Sequence, residues 1–465
     1  MKKNLNILLM GLAMLSIMSS CRSLYGKYER PDVKMTGLVR DTASIVDTLA
    51  VRDTTSFANV PWRSLFTDPQ LQSLIEKALA NNPDLLNAAL NVKMAKAQLT
   101  AARLSFLPSL SFTPQGTISS WDGNAATKVY SLPVNASWSM DLFGNLLSQK
   151  RGAQMALLQM KDYQVSVQTN LIANIANLYY SLLMLDKQVE LVTDMEKLTK
   201  ETWETIKVFK DARMGYRSTA EQSAESNYYS VMTQKTDLLR QIRETENTLS
   251  LLVGEQAHAI ARGKLESQSL PSEFSTGIGL QLLNNRADVH AAEMNLAQCF
   301  YAVEAARSKF YPSLTISGTG AFTNSSGMGI VNPGKWLLSA VGSLVQPIFQ
   351  NGRLVAGLKV AKAQYEQAYN TWQNSVLKAG SEVSNALVLY NSSDEKGRIE
   401  AKQIVVLEQH VKDTRELFES SGSTYLEMIT AQSTLLNVQL SKVADDFYKM
   451  QAVVNLYYAL GGGAK

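Results

Sequence analysis

The clearest pattern along the chain is a strict alternation of apolar and polar residues. From Leu132 to Leu142 every second residue is apolar, and the residues between them are mostly small and polar. A period of two predicts a β-strand with one apolar face and one polar face. The same alternation runs from Leu110 to Ser119 and from Leu314 to Thr323. A fourth segment, Trp336 to Ile348, alternates poorly, and we predict a strand there as well.

Almost all of the remaining pattern is helical. One helix face is formed by Leu71, Leu74, Ile75, Ala78 and Leu79, whose spacing follows the period of an α-helix. Asp68-Pro69 supplies the N-cap and the first-turn proline of this helix. A second helix starts at Asn82-Pro83 and runs to about Phe106, because Pro108 biases the residue before it away from the helical region.

Two further helices are predicted to be very long. The intervals from Gly144 to Gly215 and from Gly352 to Gly422 cover 71 and 70 residues and contain no proline. At a rise of 1.5 Å per residue each interval could extend over about 105 Å. Apolar stripes at coiled-coil spacing indicate that helices pack side by side along this length. The stripes are Leu171, Ile175, Leu178, Leu182, Leu185, Val189 and Val192, and Leu436, Leu440, Val443, Phe447, Met450, Val454 and Tyr457.

The chain contains two copies of one design. The residues NPDL at 82–85 recur as RADV at 286–289, and LPSL at 107–110 recurs as YPSL at 311–314, both at an offset of 204. Gly215 and Gly422 are each followed, 39 residues later, by another glycine, Gly254 in the first copy and Gly461 in the second. We call Gly215 and Gly422 the tip glycines. Two copies are too few for a solenoid. We therefore expect each copy to form one of several equivalent units in a closed symmetric assembly.

The N-terminus resembles a bacterial lipoprotein signal. Lys2 and Lys3 precede an apolar run that ends in Met18-Ser19-Ser20-Cys21, and the run is too short for a spanning helix. Small residues before Cys21 predict that it becomes the lipid-bearing first residue of the mature chain, with a diacylglycerol and an N-acyl group. Arg22, in place of an aspartate, favours transfer to the outer membrane. The alternative is an ordinary cleaved signal with an incidental cysteine.

Composition excludes several function classes. The net charge of +4 is modest and the basic residues do not cluster along the helices, so nothing supports nucleic-acid binding. Cys299, the only other cysteine, is expected to be a small buried residue. The three histidines lack metal-ligand spacing, and no catalytic motif is present. We predict no enzyme activity, no metal and no cofactor, and interpret the 17 methionines as packing residues.

Four strands per chain cannot close a barrel, because single-chain outer-membrane barrels need at least about eight strands. Open edges in lipid leave backbone groups unpaired at a cost of several kcal/mol each. If the strands face lipid, several chains must share one barrel. The alternative is a soluble helical protein with two surface hairpins.

These residues carry a family resemblance. Trp62 to Leu110, Asp141 to Gly144, Gln346 to Arg353, Ser421 to Glu427 and Leu460 to Gly463 resemble the TolC-like outer membrane efflux factors, most closely the lipid-anchored branch that serves resistance-nodulation-division pumps. The order, spacing and duplication of these segments together are specific to this family. Two departures, RAD at 286–288 without the usual proline and Ala464-Lys465 after the last glycines, bear on local helix starts.

The resemblance implies a mainly α fold with transmembrane β, built from a duplicated helix, helix, β-hairpin, long helix, helix unit. It implies a homotrimer in which three chains form a 12-stranded outer-membrane barrel and a periplasmic α-helical barrel. As partners it implies a periplasmic adaptor and, through the adaptor, an inner-membrane pump. The expected function is passive efflux of small molecules. A type I secretion exit duct and a periplasmic adaptor lipoprotein are the alternatives.

The resemblance also suggests site residues. The helical tips that meet the adaptor are Arg213, Gly215, Tyr216, Arg217 and Ser218, and Ser421, Gly422, Ser423, Thr424 and Tyr425. Candidates for a pore constriction are Glu427, Glu221 and Thr430, the last where some relatives carry an acid. The structural alternatives, which involve no pore or adaptor, are that each glutamate is a solvated residue supporting its helix start, and that the glycines are ordinary helix ends. Lipid-facing candidates are Leu132, Val134, Trp138, Met140, Phe112, Ile118, Leu314, Ile316 and Phe322.

The predicted organisation divides the chain into five parts. Residues 1–20 form the signal peptide and 21–60 the lipid-anchored extension. The first structural repeat covers 61–254 with its β-hairpin at about 108–143, and a linker covers 255–281. The second repeat covers 282–465 with its β-hairpin at about 312–349.

Overall fold

The computed structural model describes residues 26–32, 57–120, 122–212, 218–271, 286–323, 335–420 and 424–463. The chain divides into two compact units. The first unit comprises Met1–Val33, Leu90–Asp162 and Ala291–Asn374, and the second comprises Lys34–Ala89, Tyr163–His290 and Ser375–Lys465. The described part of the first unit contains all the strands, and the described part of the second is helical apart from its connecting segments.

The first copy begins with three helices, and the sequence predicted the second and third of them. They are α1 (Trp62–Leu65), α2 (Pro69–Asn81) and α3 (Pro83–Leu104). Asp68 caps α2, since its side chain accepts a hydrogen bond from the backbone N–H of Gln70. The predicted face of α2 is confirmed, because Leu71, Leu74, Ile75 and Ala78 are all buried.

Two long helical hairpins and one shorter helix make up the remaining α-helical structure of the described residues. They are α4 (Asn145–Asp211), α5 (Ser218–Val253), α6 (Ala287–Ser308), α7 (Arg353–Glu419) and α8 (Tyr425–Ala459). Helices α4 and α7 both contain 67 residues, so each extends over about 100 Å. The expected very long, matched helices are therefore confirmed. Two short 3₁₀ turns, Phe57–Asn59 and Leu265–Ser267, lie in the connecting segments.

The core of the second unit contains the stripes that the sequence predicted on α4 and α8. Leu171, Ile175, Leu182, Leu185 and Val192 of α4 are buried together with Leu436, Val443, Phe447, Val454 and Tyr457 of α8. Leu178, Val189, Leu440 and Met450 are partly buried against the same cluster. Side chains spaced by three and four residues thus meet between helices, as coiled-coil packing requires.

The duplication extends to single hydrogen bonds. In the first copy Asn82 accepts from the backbone N–H groups of Asp84 and Leu85 and donates to the carbonyl of Leu252. In the second copy Arg286 stands at the matching position and donates to the carbonyl of Ala459, the counterpart of Leu252. Helix α6 starts at Ala287, matching the start of α3 at Pro83. The departure at 286–288 therefore leaves the helix start unchanged.

The described part of the first unit contains one antiparallel sheet. Its strands are β1 (Ser109–Phe112), β2 (Gln115–Ser119), β3 (Thr127–Met140), β4 (Ser313–Thr323) and β5 (Lys335–Val345). The order is β1-β3-β4-β5, with β2 also beside β3. The predicted fourth strand is confirmed, and the sheet has four strand positions although five strands are present.

The first predicted strand is interrupted, which corrects the expectation of a continuous strand from Leu110 to Ser119. Thr113 donates its N–H to the carbonyl of Pro133 at 3.2 Å, but Pro133 has no N–H to return, and Pro114 follows Thr113. The register is the same on both sides of the break, since Phe112 pairs with Val134 and Gln115 with Ser131. β1 and β2 therefore act as one strand.

A short N-terminal segment, residues 26–32, packs against α6 in the first unit. The backbone N–H of Tyr28 donates to the Tyr301 hydroxyl at 3.3 Å, and Arg30 forms an ion pair with Glu293 at 2.6 Å. Cys299 of α6 is only partly buried, contrary to expectation, because it lies beside the buried face formed by Leu296, Ala297 and Tyr301. None of the described helices is long and apolar enough to cross a membrane.

Candidate functional site

The two faces of the sheet differ in chemistry across β1 to β4, and less clearly at β5. The register aligns the even-numbered residues of all strands on one face, for example Val134 with Phe112 and with Gly320. This face carries Leu110, Phe112, Ile118, Leu132, Val134, Trp138, Met140, Leu314, Ile316, Phe322, Leu338 and Leu344. Large apolar side chains on it are open to the surroundings, with Leu338 86% and Leu110 74% exposed. All nine predicted lipid-facing residues share this apolar face.

The opposite face is lined mainly by hydroxyl and amide groups. The register places Ser109, Ser111, Asn135, Ser137, Ser139, Thr315, Ser317, Thr319, Ser339 and Ser343 together on it. Asn135 connects two strands, because its Nδ2 donates to Thr113 Oγ1 at 3.1 Å and its Oδ1 accepts from Thr319 Oγ1 at 2.9 Å. Val341 and Val345 of β5 interrupt this polar face, as the sequence indicated, and so does Leu337.

The sheet has two open edges within the described part of the chain. β1 and β2 pair only with β3, and β5 pairs only with β4. One row of backbone donors and acceptors on each outer strand is therefore available for pairing with another strand. A sheet with an exposed apolar face and two such edges is unlike the surface of a monomeric soluble protein.

The predicted tips are partly outside the described residues. Arg213, Gly215, Tyr216, Arg217, Ser421, Gly422 and Ser423 lie there, and so does Cys21. Of the other tip residues, Ser218 begins α5, Thr424 is the N-cap of α8 and Tyr425 is the first residue of α8.

Glu427 completes a capping box at the start of α8. The Thr424 side chain accepts from the backbone N–H of Glu427 at 3.3 Å, and the Glu427 carboxylate accepts from the backbone N–H of Thr424 at 3.1 Å. This arrangement satisfies two N–H groups that the helix start would otherwise leave unpaired. Glu427 is exposed, and Thr430, nearly one turn further, is exposed as well. Glu427 thus has the helix-starting role of the structural alternative, in an exposed position.

Glu221 is held differently. Its carboxylate forms an ion pair with Lys210 of α4, which connects the two arms of the first hairpin, and its side chain is 17% exposed. The hydrogen bond to Glu221 raises the pKa of Lys210. Glu221 lies in the first turn of α5, as the structural alternative expects, but its carboxylate is paired and largely covered and is not freely solvated.

A small apolar cluster joins all four long helices near the tips. Its buried members are Ile206 of α4, Ala220 and Ala224 of α5, Phe418 of α7 and Met428 of α8. The rings of Phe209 and Phe418 lie 5.9 Å apart. The cluster brings the starts of α5 and α8 together, so the neighbours of Glu221 and of Glu427 share one core.

Two charged clusters of the second unit were missed from the sequence. Arg286 is 2% exposed and pairs with Asp288 and Glu382, both at 2.6 Å. Asp445 of α8 is 3% exposed and faces Glu400 of α7, whose Oε1 accepts from Ser441 at 2.6 Å. The sequence contained a signal for the Arg286 cluster, because an arginine stands where the other copy has Asn82. The pairing of Asp445 with Glu400 depends on how two helices pack, and neither helix alone indicates it.

The fold and the sheet together define a class of protein. It is a mainly helical chain that presents an apolar sheet face to its surroundings and carries two matched, coiled-coil-length helical hairpins. Such a chain suits a membrane protein with a large helical part outside the membrane.

Comparison with known proteins gives the family. A model described as outer membrane efflux protein matches residues 74–255 and 280–462. The chain is 26% identical to the cation efflux system protein CusC of Escherichia coli K12 over 454 residues, 95% of this chain and 96% of CusC. It is 23% identical to the probable outer membrane lipoprotein SilC of Salmonella typhimurium over 461 residues, 98% of each chain.

Solved structures agree on the fold. A crystal structure of CusC, from work on folding and transmembrane channel formation, has a TM-score of 0.82 at 24% identity and covers 95% of this chain and 100% of that chain. The open state of the outer membrane channel MtrE of Neisseria gonorrhoeae also has a TM-score of 0.82, at 22% identity, with 95% of this chain and 99% of MtrE covered. The chain belongs to the outer membrane efflux protein family, a family of efflux proteins, and its location is the outer membrane.

Proposed function

We propose that three copies of this chain form a passive exit duct that carries small molecules through the outer membrane. The observation that carries the proposal is the sheet, with its apolar exposed face, its polar opposite face and its two open edges. In a closed barrel the apolar face contacts lipid and the polar face lines a water-filled passage.

The number of strands supports sharing between chains. Four strand positions are fewer than the roughly eight that the smallest outer-membrane barrels use. Pairing the β1/β2 edge of one chain with the β5 edge of the next gives every outer strand a partner, and both edges run antiparallel to one another. A closed ring of three chains leaves no unpaired edge in the lipid.

We further propose that the helical hairpins extend into the periplasm and meet a periplasmic adaptor at the tips, with an inner-membrane pump beyond it. The equal lengths of α4 and α7 support this arrangement, since both hairpins then end at one level. The relatives CusC and SilC are a cation efflux system protein and a probable outer membrane lipoprotein. We propose lipid anchoring at Cys21 for this chain as well, and a small-molecule cargo without a bound cofactor.

The experiment is native mass spectrometry of the detergent-extracted protein, followed by planar-bilayer recording of the same sample. A trimer that forms discrete conducting channels is the expected result. A stable folded monomer would contradict the shared barrel. For the anchor, Cys21→Ser should abolish fatty-acid labelling, and unchanged labelling would mean that Cys21 is not the lipidated residue.

A further inference from the structure

The four junctions between a helix and a strand all lie at the same end of the strands. The register shows this, because residues at or near the ends of β1, β3, β4 and β5 pair with one another there. The pairs are Ser109 with Ser137, Met140 with Leu314 and Ser313 with Val345. We call residues 100–108, 141–155, 300–312 and 346–362 the junction belt. All four segments belong to the first unit.

The junction belt is strongly basic, although the basic residues do not cluster along any one helix, because the fold brings four separate segments to the same end of the sheet. Its basic residues are Arg103, Lys150, Arg151, Arg307, Lys309, Arg353, Lys359 and Lys362, and its acidic residues are Asp141 and Glu304. Its net charge of +6 exceeds the +4 of the whole chain. In the sequence, the segments between β2 and β3 and between β4 and β5, residues 120–126 and 324–334, contain one charged residue, Asp122. Lys128 of β3 and Lys335 of β5 are at the opposite end of the strands, so the positive charge is concentrated at the end with the junction belt but is not confined to it.

Both acids of the junction belt are engaged within the protein. The Asp141 carboxylate accepts from the backbone N–H groups of Leu146 and Leu147 at 3.1 and 2.7 Å and so caps α4. Glu304 is 3% exposed and pairs with Arg307 at 2.8 Å. By contrast, five of the cations are exposed and their side chains form no ion pair within the described residues. They are Arg103, Lys309, Arg353, Lys359 and Lys362.

Apolar and aromatic groups accompany these cations. Ile348, Phe349 and Leu107 are exposed, and the rings of Phe143 and Tyr311 stack at 5.0 Å. Exposed apolar side chains beside unpaired cations are typical of the boundary between lipid tails and head groups.

One contact connects the belt to the apolar face of the sheet. Trp138 lies on that face, and its indole N–H donates to the Phe106 carbonyl at 2.9 Å. Lys150 Nζ lies 5.7 Å from the centre of the Phe106 ring. Lys150 and the Phe106 ring therefore lie next to Trp138, which is on the apolar face of the sheet.

We propose that the junction belt binds anionic phospholipid head groups of the leaflet next to the helices. The inference rests on the proposed function, which places the apolar face in lipid. Charge complementarity selects the occupant, since lipid phosphates are the fixed anions at this depth and each Lys or Arg near an anionic surface strengthens binding. The bound lipids fix the depth of the barrel in the membrane, and they hold the helices outside it.

The test measures lipid selectivity of the full-length trimer. The protein is equilibrated with mixed micelles of phosphatidylglycerol and phosphatidylethanolamine, and retained lipids are counted by native mass spectrometry. The wild type should retain phosphatidylglycerol preferentially. The variant K309Q/K359Q/K362Q should lose roughly a hundredfold in phosphatidylglycerol affinity, about fivefold for each removed cation.

Two control variants isolate the charge of the belt. K200Q/K402Q/K412Q removes three exposed lysines from the helices elsewhere and should keep wild-type selectivity. K309R/K359R/K362R keeps the charge and should keep selectivity too. An excess of inorganic phosphate should not displace the lipid, because a free ion lacks the apolar contacts; displacement at modest excess would indicate a simple anion site and overturn the proposal.

The outcomes separate this inference from the proposed function. A trimer that conducts ions but retains both lipids equally overturns the lipid belt alone. The lipid belt is also overturned if the glutamine variant and its matched control retain equal amounts of phosphatidylglycerol. A chain that never forms conducting trimers contradicts the proposed function itself.

Discussion

At the scale of single residues, Arg286 combines burial with charge. Its guanidinium donates to Asp288, Glu382 and the carbonyl of Ala459. Burial pushes the pKa of the Asp288 carboxyl upward, but the hydrogen bond and charge of Arg286 outweigh burial and hold it below its usual value. The contribution of Asp288 to stability is therefore present above its ordinary pKa and is lost as the pH falls through the lowered one.

We predict that Arg286→Met destabilises the protein by about 2–3 kcal/mol, because it leaves two partly buried carboxylates and the Ala459 carbonyl without their donor. The measurement is the denaturant midpoint of the solubilised protein. Arg398→Met is the matched control, since that arginine is 78% exposed and pairs with Asp394 at 2.6 Å. The control should cost less than about 1 kcal/mol. Equal losses in the two variants would contradict the assigned role of Arg286.

The facing carboxyls of Glu400 and Asp445 lead to a prediction about pH. Burial and then the Asp445 charge raise the pKa of Glu400, against the Ser441 hydrogen bond and the charge of Lys396. Because the folded-state pKa is raised, this stabilising contribution is complete below the ordinary glutamate pKa and is lost as the pH rises through the raised value.

Glu400→Gln imitates the protonated form, so it should stabilise the protein at neutral pH by about 1 kcal/mol. Thermal unfolding at mildly acidic and neutral pH provides the measurement. The gain should shrink toward acidic pH, where Glu400 is protonated anyway. A constant difference between variant and wild type at all pH values would show that Glu400 does not titrate in this range.

At the scale of elements, periodicity predicted the helices and strands well. Helix α2 and its Asp68 cap and the stripes of α4 and α8 appear as expected, because local spacing determines which side chains share a face. The break between β1 and β2 was missed, since Pro133, which lies on the partner strand, contributes to it together with Pro114. Asp445 was missed for a similar reason, because nothing in α8 alone indicates that Glu400 faces it.

The capping box of α8 predicts a local effect. Thr424→Ala removes the acceptor for the Glu427 N–H and should cost about 1 kcal/mol, seen as faster hydrogen exchange in the first turn of α8. Thr434→Ala is the control, because the Thr434 hydroxyl only donates to the carbonyl of Thr430 within the helix. If both variants exchange at the wild-type rate in this turn, the capping box does not stabilise the helix start.

At the scale of the whole molecule, one chain contains only part of the proposed duct. Counting strands from the sequence indicated that several chains must close the sheet, and the two open edges of the described structure agree with that reasoning. The pairing between chains is not encoded in any local pattern, because it involves the β1/β2 edge of one copy and the β5 edge of another. For the same reason the residues that surround the pore axis stay predictions.

The last prediction concerns the charge of Glu427 in the assembled duct. Three copies of one exposed acid close to a narrow axis would attract cations, since a protein-walled pore screens charge less than bulk water does. Glu427→Ala would confuse this effect with loss of the capping box, whereas Glu427→Gln keeps a side-chain oxygen that can accept from the Thr424 N–H. We expect Glu427→Gln to lower cation selectivity and weaken divalent-cation block in planar-bilayer recordings.

Two comparisons make the Glu427 experiment decisive. Thr424→Ala keeps the carboxylate but removes the cap, so it should leave cation selectivity unchanged even if channel opening differs. Glu221→Gln should have less effect than Glu427→Gln, because the Glu221 carboxylate is already paired with Lys210 and its side chain is largely covered. If Glu427→Gln leaves conductance, selectivity and divalent block as in the wild type, Glu427 does not line the constriction, and the narrowest part of the duct must lie elsewhere along the helices.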